Sequence, residues 1–233
     1  MKTIILSAGY GTRLRPLTET VPKCLINIGS KPVLEYWLDK LEEIDEVDEV
    51  IINTHHLQEK VQAFIQEKSE EYHFLITEFY EEKLLGSAGT LWANRNKIKD
   101  NDTLVIYADN YSEISLMDFY QKFRSDKAKF HVAVFRSEKP KSCGIFNTNE
   151  KGEVVSFVEK PEFPESNLAN AGIYAFNGNF YLSRVSGEEF DIGFSVLPKF
   201  VDSTSLHIIN GLHIDIGTYH DLERINKILG VAT

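Results

Sequence analysis

The sequence predicts an α/β fold with a mixed, mainly parallel central sheet, helices on both of its faces and a β-rich second half. Three observations carry that expectation. An apolar run, Thr3-Ile4-Ile5-Leu6, starts almost at the N-terminus and opens straight into a glycine-containing loop. Strand-length apolar runs then alternate with stretches of helical periodicity, the pattern of parallel strands joined by crossover helices. From Gly144 the texture changes to short strand-like segments and turns.

The elements follow in order. After the glycine loop, Pro32 opens a helix whose Val33, Leu34, Trp37, Leu38 and Leu41 share one face. Glu49 to Asn53 reads as the second strand, and Leu57, Val61, Phe64 and Ile65 have the spacing of an amphipathic helix. Phe74 to Ile76 is strand-like, residues 87–97 are helical, and Thr103 to Tyr107 is another buried strand. A helix around Met117 to Phe123 leads to the strand Phe130 to Phe135. The second half offers strands at Gly144 to Phe146, Val154 to Val158, Ile173 to Phe176, Leu206 to Ile209 and Leu212 to Ile216. These are expected to share the central sheet. A last helix, Tyr219 to Leu229, turns Leu222, Ile225 and Leu229 inward. With no internal repeat or linker, residues 1–233 read as one domain, divided near residues 1–136 and 137–233.

A formal charge of −10 over 233 residues argues against nonspecific nucleic-acid or acidic-membrane partners. An anionic nucleotide still fits if the few cations converge on it. The two cysteines, Cys24 and Cys143, suit a reduced compartment and suggest neither a disulfide framework nor a zinc site. The chain lacks a signal-peptide pattern and an apolar run of membrane-spanning length, so a soluble, cytoplasmic protein is expected. The oligomeric state stays open, with a homo-oligomer possible.

The loop itself is the most informative segment. Gly9 and Gly11 leave the first strand, followed by Thr12, Arg13 and, behind Pro22, Lys23. Without Cβ atoms, backbone N–H groups can approach and cradle phosphates. Arg13 offers a planar fork and Lys23 a point charge, both suited to a polyphosphate. A P-loop is excluded because the chain contains no Gly-Lys pair, and a dinucleotide fingerprint fails where Leu14 replaces its third small residue.

The full string, Gly9-Tyr10-Gly11-Thr12-Arg13 to Pro22-Lys23, resembles the G-x-G-T-R…P-K signature of the sugar-1-phosphate nucleotidyltransferases, the nucleotide-sugar pyrophosphorylases. Further strings extend the resemblance in the right order from Ile5 to about Glu223. Leu85-Gly86-Ser87-Ala88-Gly89-Thr90 is similar to the family's base-contacting loop, and also reads as a plain helix start with Ser87 as the cap. Ala108-Asp109-Asn110 stands where the family has Gly-Asp, with the alternative of an Asp capping a turn. Cys143-Gly144 replaces an aromatic-glycine pair. Val158-Glu159-Lys160-Pro161 resembles V-E-K-P, Asn170-Ala171-Gly172-Ile173-Tyr174 resembles N-A-G-I-Y, and Asp215-Ile216-Gly217-Thr218 resembles the end of W-x-D-I-G-T. Asn53-Thr54-His55-His56 resembles a string of guanylyl- and uridylyltransferases; adjacent histidines in a strand point opposite ways, so metal chelation by the pair is not expected.

The resemblance implies a Rossmann-like fold with a nucleotide-binding first half and a sugar-binding second half, in a short form without a C-terminal β-helix. It implies NTP and sugar 1-phosphate as substrates and Mg²⁺ as cofactor. Nucleotide binding falls to Leu6, Ala8, Gly9, Gly11, Thr12, Arg13, Lys23, Gly86 and Ser87. Asp109 and Asp215 hold the metal. Gly144, Glu159, Lys160, Asn170 and Gly172 take the sugar phosphate, with Arg13, Lys23, Asp109, Asp215 and Lys160 as the reacting set. His213 is expected to pack or touch substrate rather than bind metal. GTP with mannose- or heptose-1-phosphate is the first expectation. UTP- or CTP-dependent transfer to another sugar phosphate or to phosphocholine comes next, then a non-catalytic nucleotide-sugar sensor. A nicotinamide-dependent oxidoreductase is disfavoured by Leu14.

Overall fold

A computed structural model of the chain describes residues 1–126 and 128–230. The first half runs β1 (Lys2–Leu6), a small hairpin of β2 (Asn27–Ile28) and β3 (Lys31–Pro32), α1 (Val33–Glu42), β4 (Glu49–Thr54), α2 (Gln58–Lys68), β5 (Leu75–Tyr80), α3 (Gly86–Ala93), α4 (Arg95–Ile98) and β6 (Asp102–Tyr107). Then come β7 (Asn110–Ser112), α5 (Leu116–Ser125), β8 (Phe130–Arg136), β9 (Gly144–Thr148), β10 (Val154–Glu159), β11 (Leu168–Asn177), α6 (Gly178–Leu182), β12 (Thr204–Ile208), β13 (His213–Asp215) and α7 (Tyr219–Ile228).

Nine strands form one mixed sheet in the order β10-β9-β11-β6-β1-β4-β5, with β8 pairing β11 and β12 pairing β8. β1 is parallel to both β4 and β6, and β4 is parallel to β5. The direction reverses at β11, which is antiparallel to β6 with Ile173 opposite Ile106. Strand alternation sorts the apolar runs onto two faces. Val50, Ile52, Leu104 and Ile106 join Trp37, Phe119 and Ile225 in one core. Ile51 and Val105 join Leu91, Ile98, Tyr174 and Phe200 in the other. Covering both faces is what lets the parallel strands be almost wholly apolar.

Several expectations need correction. The helix expected over residues 87–97 is two helices broken at Asn94, whose side-chain amide bonds the Thr90 carbonyl at 3.0 Å and competes with helix continuation. The strand expected at Phe74 to Ile76 extends instead from Leu75 to Tyr80. Leu212 to Ile216 does not join the central sheet: β13 pairs antiparallel with β7 in a separate ribbon. That ribbon went unseen because Asn110-Tyr111-Ser112 has no apolar alternation.

Candidate active site

β1, β4, β5 and β6 all end on one edge of the sheet, where open α/β sheets leave a crevice beyond their carboxyl ends. β1 delivers the glycine loop there. Leu6, Ser7, Gly9, Lys23 and Asp109 line a common cleft, while Ala8 is buried beneath it and Thr12 is exposed. Gly11 sits at φ +62°, and a Cβ on it would meet the Thr18 methyl at 2.8 Å. Thr18 closes the loop, donating to the Gly11 carbonyl at 2.8 Å. Leu14, the residue that breaks a dinucleotide fingerprint, is fully buried and anchors the loop.

Four charged residues expected at the site converge. Lys23 Nζ lies 2.6 Å from Asp109 Oδ2 and 3.4 Å from Asp215 Oδ1, and Arg13 Nη2 lies 3.8 Å from Asp215 Oδ2. Asp109 follows β6 and Asp215 ends β13, so the β7–β13 ribbon brings the carboxylates together. Asp215 is in register with Asn110, and the Ile216 N–H donates to the Asp109 carbonyl at 2.9 Å. Desolvation by the cleft walls raises the Asp215 pKa above the ordinary carboxylate value; the Asp109 charge adds to the shift, and Lys23 and Arg13 oppose it. Gly217 leaves room for the Arg13 guanidinium, which a Cβ there would approach to 2.7 Å. His213 is no part of this cluster; it packs on the Phe135 ring at 4.6 Å. Among the described residues no three His, Cys, Asp or Glu side chains gather as a metal cage.

Glu81 follows β5 directly, a carboxylate only 3% exposed. It accepts from Asn53 Nδ2 at 2.9 Å, from the Leu85 N–H at 2.9 Å and from the Thr90 hydroxyl. Asn53 in turn accepts from the Ser7 N–H at 2.6 Å, tying the glycine loop to the start of α3. Gly86, at φ +76°, allows close approach of the Phe190 carbonyl, which a Cβ would overlap. Ser87 does not cap α3, contrary to the simple reading of its string. Its Oγ donates to Asp191 Oδ2 at 3.2 Å and accepts from the Ile192 N–H at 2.8 Å. His55 and His56 lie beyond the end of β4, and both rings contact Tyr10 at the loop tip, so the strand-based expectation of opposite orientations does not hold. His55 Nδ1 pairs with the Glu81 carbonyl and His56 Nε2 with the Thr18 carbonyl, so each supports a loop.

The second-half residues form a neighbouring wall. Gly144 opposes Glu159 across β9 and β10, and a Cβ on Gly144 would overlap the Glu159 carboxylate. Burial raises the Glu159 pKa, with Lys160 opposing and Asp191 adding to the shift. Lys160 takes φ +49°, its N–H bonds the Cys143 carbonyl at 3.0 Å, and its ammonium lies 5.8 Å from the Phe194 ring centre. Asn170 braces its own strand, accepting from the Gly172 N–H at 3.0 Å and donating to the Tyr174 hydroxyl at 2.8 Å. Gly172, at φ +69°, sits against Tyr107 and Asn110, next to Asp109.

Residues 2–230 match the model of the Nucleotidyl transferase family. The chain belongs to that family. The chain is 31% identical over 227 residues to mannose-1-phosphate guanylyltransferase 1 of Arabidopsis thaliana, covering 95% of this chain and 62% of that protein. It is 32% identical over 219 residues to a UTP–glucose-1-phosphate uridylyltransferase of Synechocystis sp., covering 87% and 56% respectively. The chain thus spans less than two thirds of the length of these relatives. A Bacillus anthracis crystal structure with bound sucrose shares the fold, with a TM-score of 0.89 at 24% identity over 100% of this chain and 96% of that one. Glu81, Asp191 and the room left by Gly217 carried no signal in the sequence. Glu81-Glu82-Lys83 looks like a solvated charge run, and only Asp before Ile192 hinted at a cap.

Proposed function

We propose that this nucleotidyl transferase moves a nucleotidyl group from an NTP to a sugar 1-phosphate and releases pyrophosphate. The observation that carries the reading is the Arg13–Lys23–Asp109–Asp215 cluster at the carboxyl ends of the strands. GTP with mannose- or heptose-1-phosphate is the preferred pair, supported by the guanylyltransferase relative. UTP or CTP transfer to another sugar phosphate or to phosphocholine is the second reading, supported for UTP by the uridylyltransferase relative.

An acceptor phosphate oxygen attacks the α-phosphorus in line as the bond to the bridging oxygen of pyrophosphate breaks, so no protein nucleophile is needed. The loop N–H groups from Gly9 to Thr12 cradle the triphosphate. Arg13 and Lys23 offset charge that builds on the leaving pyrophosphate. Lys160 holds the acceptor phosphate, and Glu159 accepts sugar hydroxyls. Gly86 and Ser87 face the base, while Gly144, Asn170 and Gly172 shape the sugar floor. Asp109 and Asp215 fit Mg²⁺, being two hard oxygen donors whose mutual repulsion a divalent cation relieves, with phosphate and water completing its ligands. When bound, Mg²⁺ supplies Lewis-acid stabilisation of phosphoryl charge.

The test is pyrophosphate release with Mg²⁺ across four NTPs, against sugar 1-phosphates and phosphocholine. Turnover confined to GTP with a mannose or heptose phosphate is expected. Turnover with another pair would replace the preferred substrates, and nucleotide binding without turnover would support a sensing role.

A further inference from the structure

We propose that Asp191 is a positioning residue that couples the two halves of the cleft, so that nucleotide bound at the Gly86–Ala88 loop tightens the acceptor site beside Glu159. This rests on the nucleotidyl-transfer reading above.

Residues 190–193 form a strap between the two walls. On the nucleotide side, the Ala88 N–H donates to the Phe190 carbonyl at 3.1 Å, and Gly86 admits that carbonyl by lacking a Cβ. Ser87 then makes two bonds to the strap, one to the Asp191 carboxylate and one from the Ile192 N–H. On the acceptor side, a Cβ at Gly193 would lie 2.6 Å from Glu159 Oε2 and 3.2 Å from Asp191 Oδ1, so the two carboxylates flank one small residue. The ring of Phe194 faces Lys160.

Asp191 divides its carboxylate between these sides. Oδ2 reaches Ser87, while Oδ1 accepts from the Phe194 N–H at 3.0 Å and caps the turn Ile192–Val196. Ile192, Gly193 and Val196 are buried, so the turn moves as a packed unit. A shift of Ser87 on engaging a nucleotide is therefore passed to Gly193 and Phe194, which border Glu159 and Lys160. Reciprocity requires the acceptor to tighten the nucleotide by the same factor.

The two roles of the carboxylate can be separated. In Asp191→Ser the hydroxyl still caps the turn but is too short to reach Ser87. Asp191→Asn keeps both the reach and the cap. Mannose 1-phosphate is titrated calorimetrically into each protein, with and without α,β-methylene GTP, after thermal melting confirms the fold. In the wild type the nucleotide analogue is expected to tighten the acceptor about fivefold or more. In Asp191→Ser that gain should fall below about twofold, while Asp191→Asn retains it. A full gain in Asp191→Ser, or its loss in Asp191→Asn, overturns the proposal. So does a wild type that turns over with no gain. A wild type that binds neither compound and shows no turnover with any pair overturns the nucleotidyl-transfer reading and the coupling with it.

Discussion

Lys23 and Asp109 hold one another at 2.6 Å, and the same ammonium lies 3.4 Å from Asp215. One lysine thus spans a pair of carboxylates that would otherwise repel. Its side chain is only 10% exposed, so the pairing is less screened than a surface salt bridge. Under the proposed function, a polyphosphate and a divalent cation in the cleft would draw the ammonium from carboxylate to phosphate.

Asp109→Asn removes one carboxylate without changing shape. Turnover is expected to fall about 100-fold or more, with an unchanged fold by circular dichroism. The Asp215 pKa, raised by burial and then by Asp109, should move back toward its ordinary value because one of its two upward pushes is gone. Carboxyl NMR titration reads that shift, and a static Asp215 would contradict the coupling.

Gly217→Ala places a methyl against the mobile end of Arg13 rather than against backbone. Stability should change by no more than about 0.5 kcal/mol, because the guanidinium can swing away. The displaced cation should raise the KM for NTP while leaving that for the sugar phosphate near wild type. Equal effects on both would separate Arg13 from the triphosphate.

Glu81→Ala is expected to cost about 3 kcal/mol or more of stability, since Asn53 and the Leu85 N–H lose their acceptor in a buried setting. Glu81→Gln should cost less, because its amide oxygen still accepts. Urea denaturation of the two variants distinguishes this bracing role from a passive one.

His131 is completely buried, and burial depresses its pKa to about 4 despite the opposing pull of Asp126. The unfolded imidazole titrates near 6.5, so between 6.5 and 4 the unfolded chain binds a proton that the native one refuses. Stability should therefore fall as pH drops through that window, by up to about 3 kcal/mol from this residue. His131→Phe should flatten the decline in urea midpoint between pH 7 and pH 5, provided the ring is accommodated beside Phe123.

The parallel strands were legible because burial on both faces demands unbroken apolar runs, and β1, β4 and β6 supply them. The clustering of Arg13, Lys23, Asp109 and Asp215 was legible in part, because polyphosphate chemistry calls for those residue types and the four side chains converge. The alternative of Ser87 as an N-cap failed because an N-cap and a long-range hydrogen bond draw on the same hydroxyl. Asp191 escaped because its importance lies in a contact 104 residues away, which no local spacing encodes. The orientation of His55 and His56 was misjudged because a strand rule was carried two residues past Thr54, where β4 ends.

The short β7–β13 ribbon carries a consequence for biosynthesis. It pairs Asn110, next to Asp109, with Asp215, so a growing chain can finish its glycine loop and the first parallel strands long before the second carboxylate has been made. Such late, distant pairing is slow to form. Under the proposed function, a half-made chain would carry only one of the two carboxylates until β13 pairs with β7.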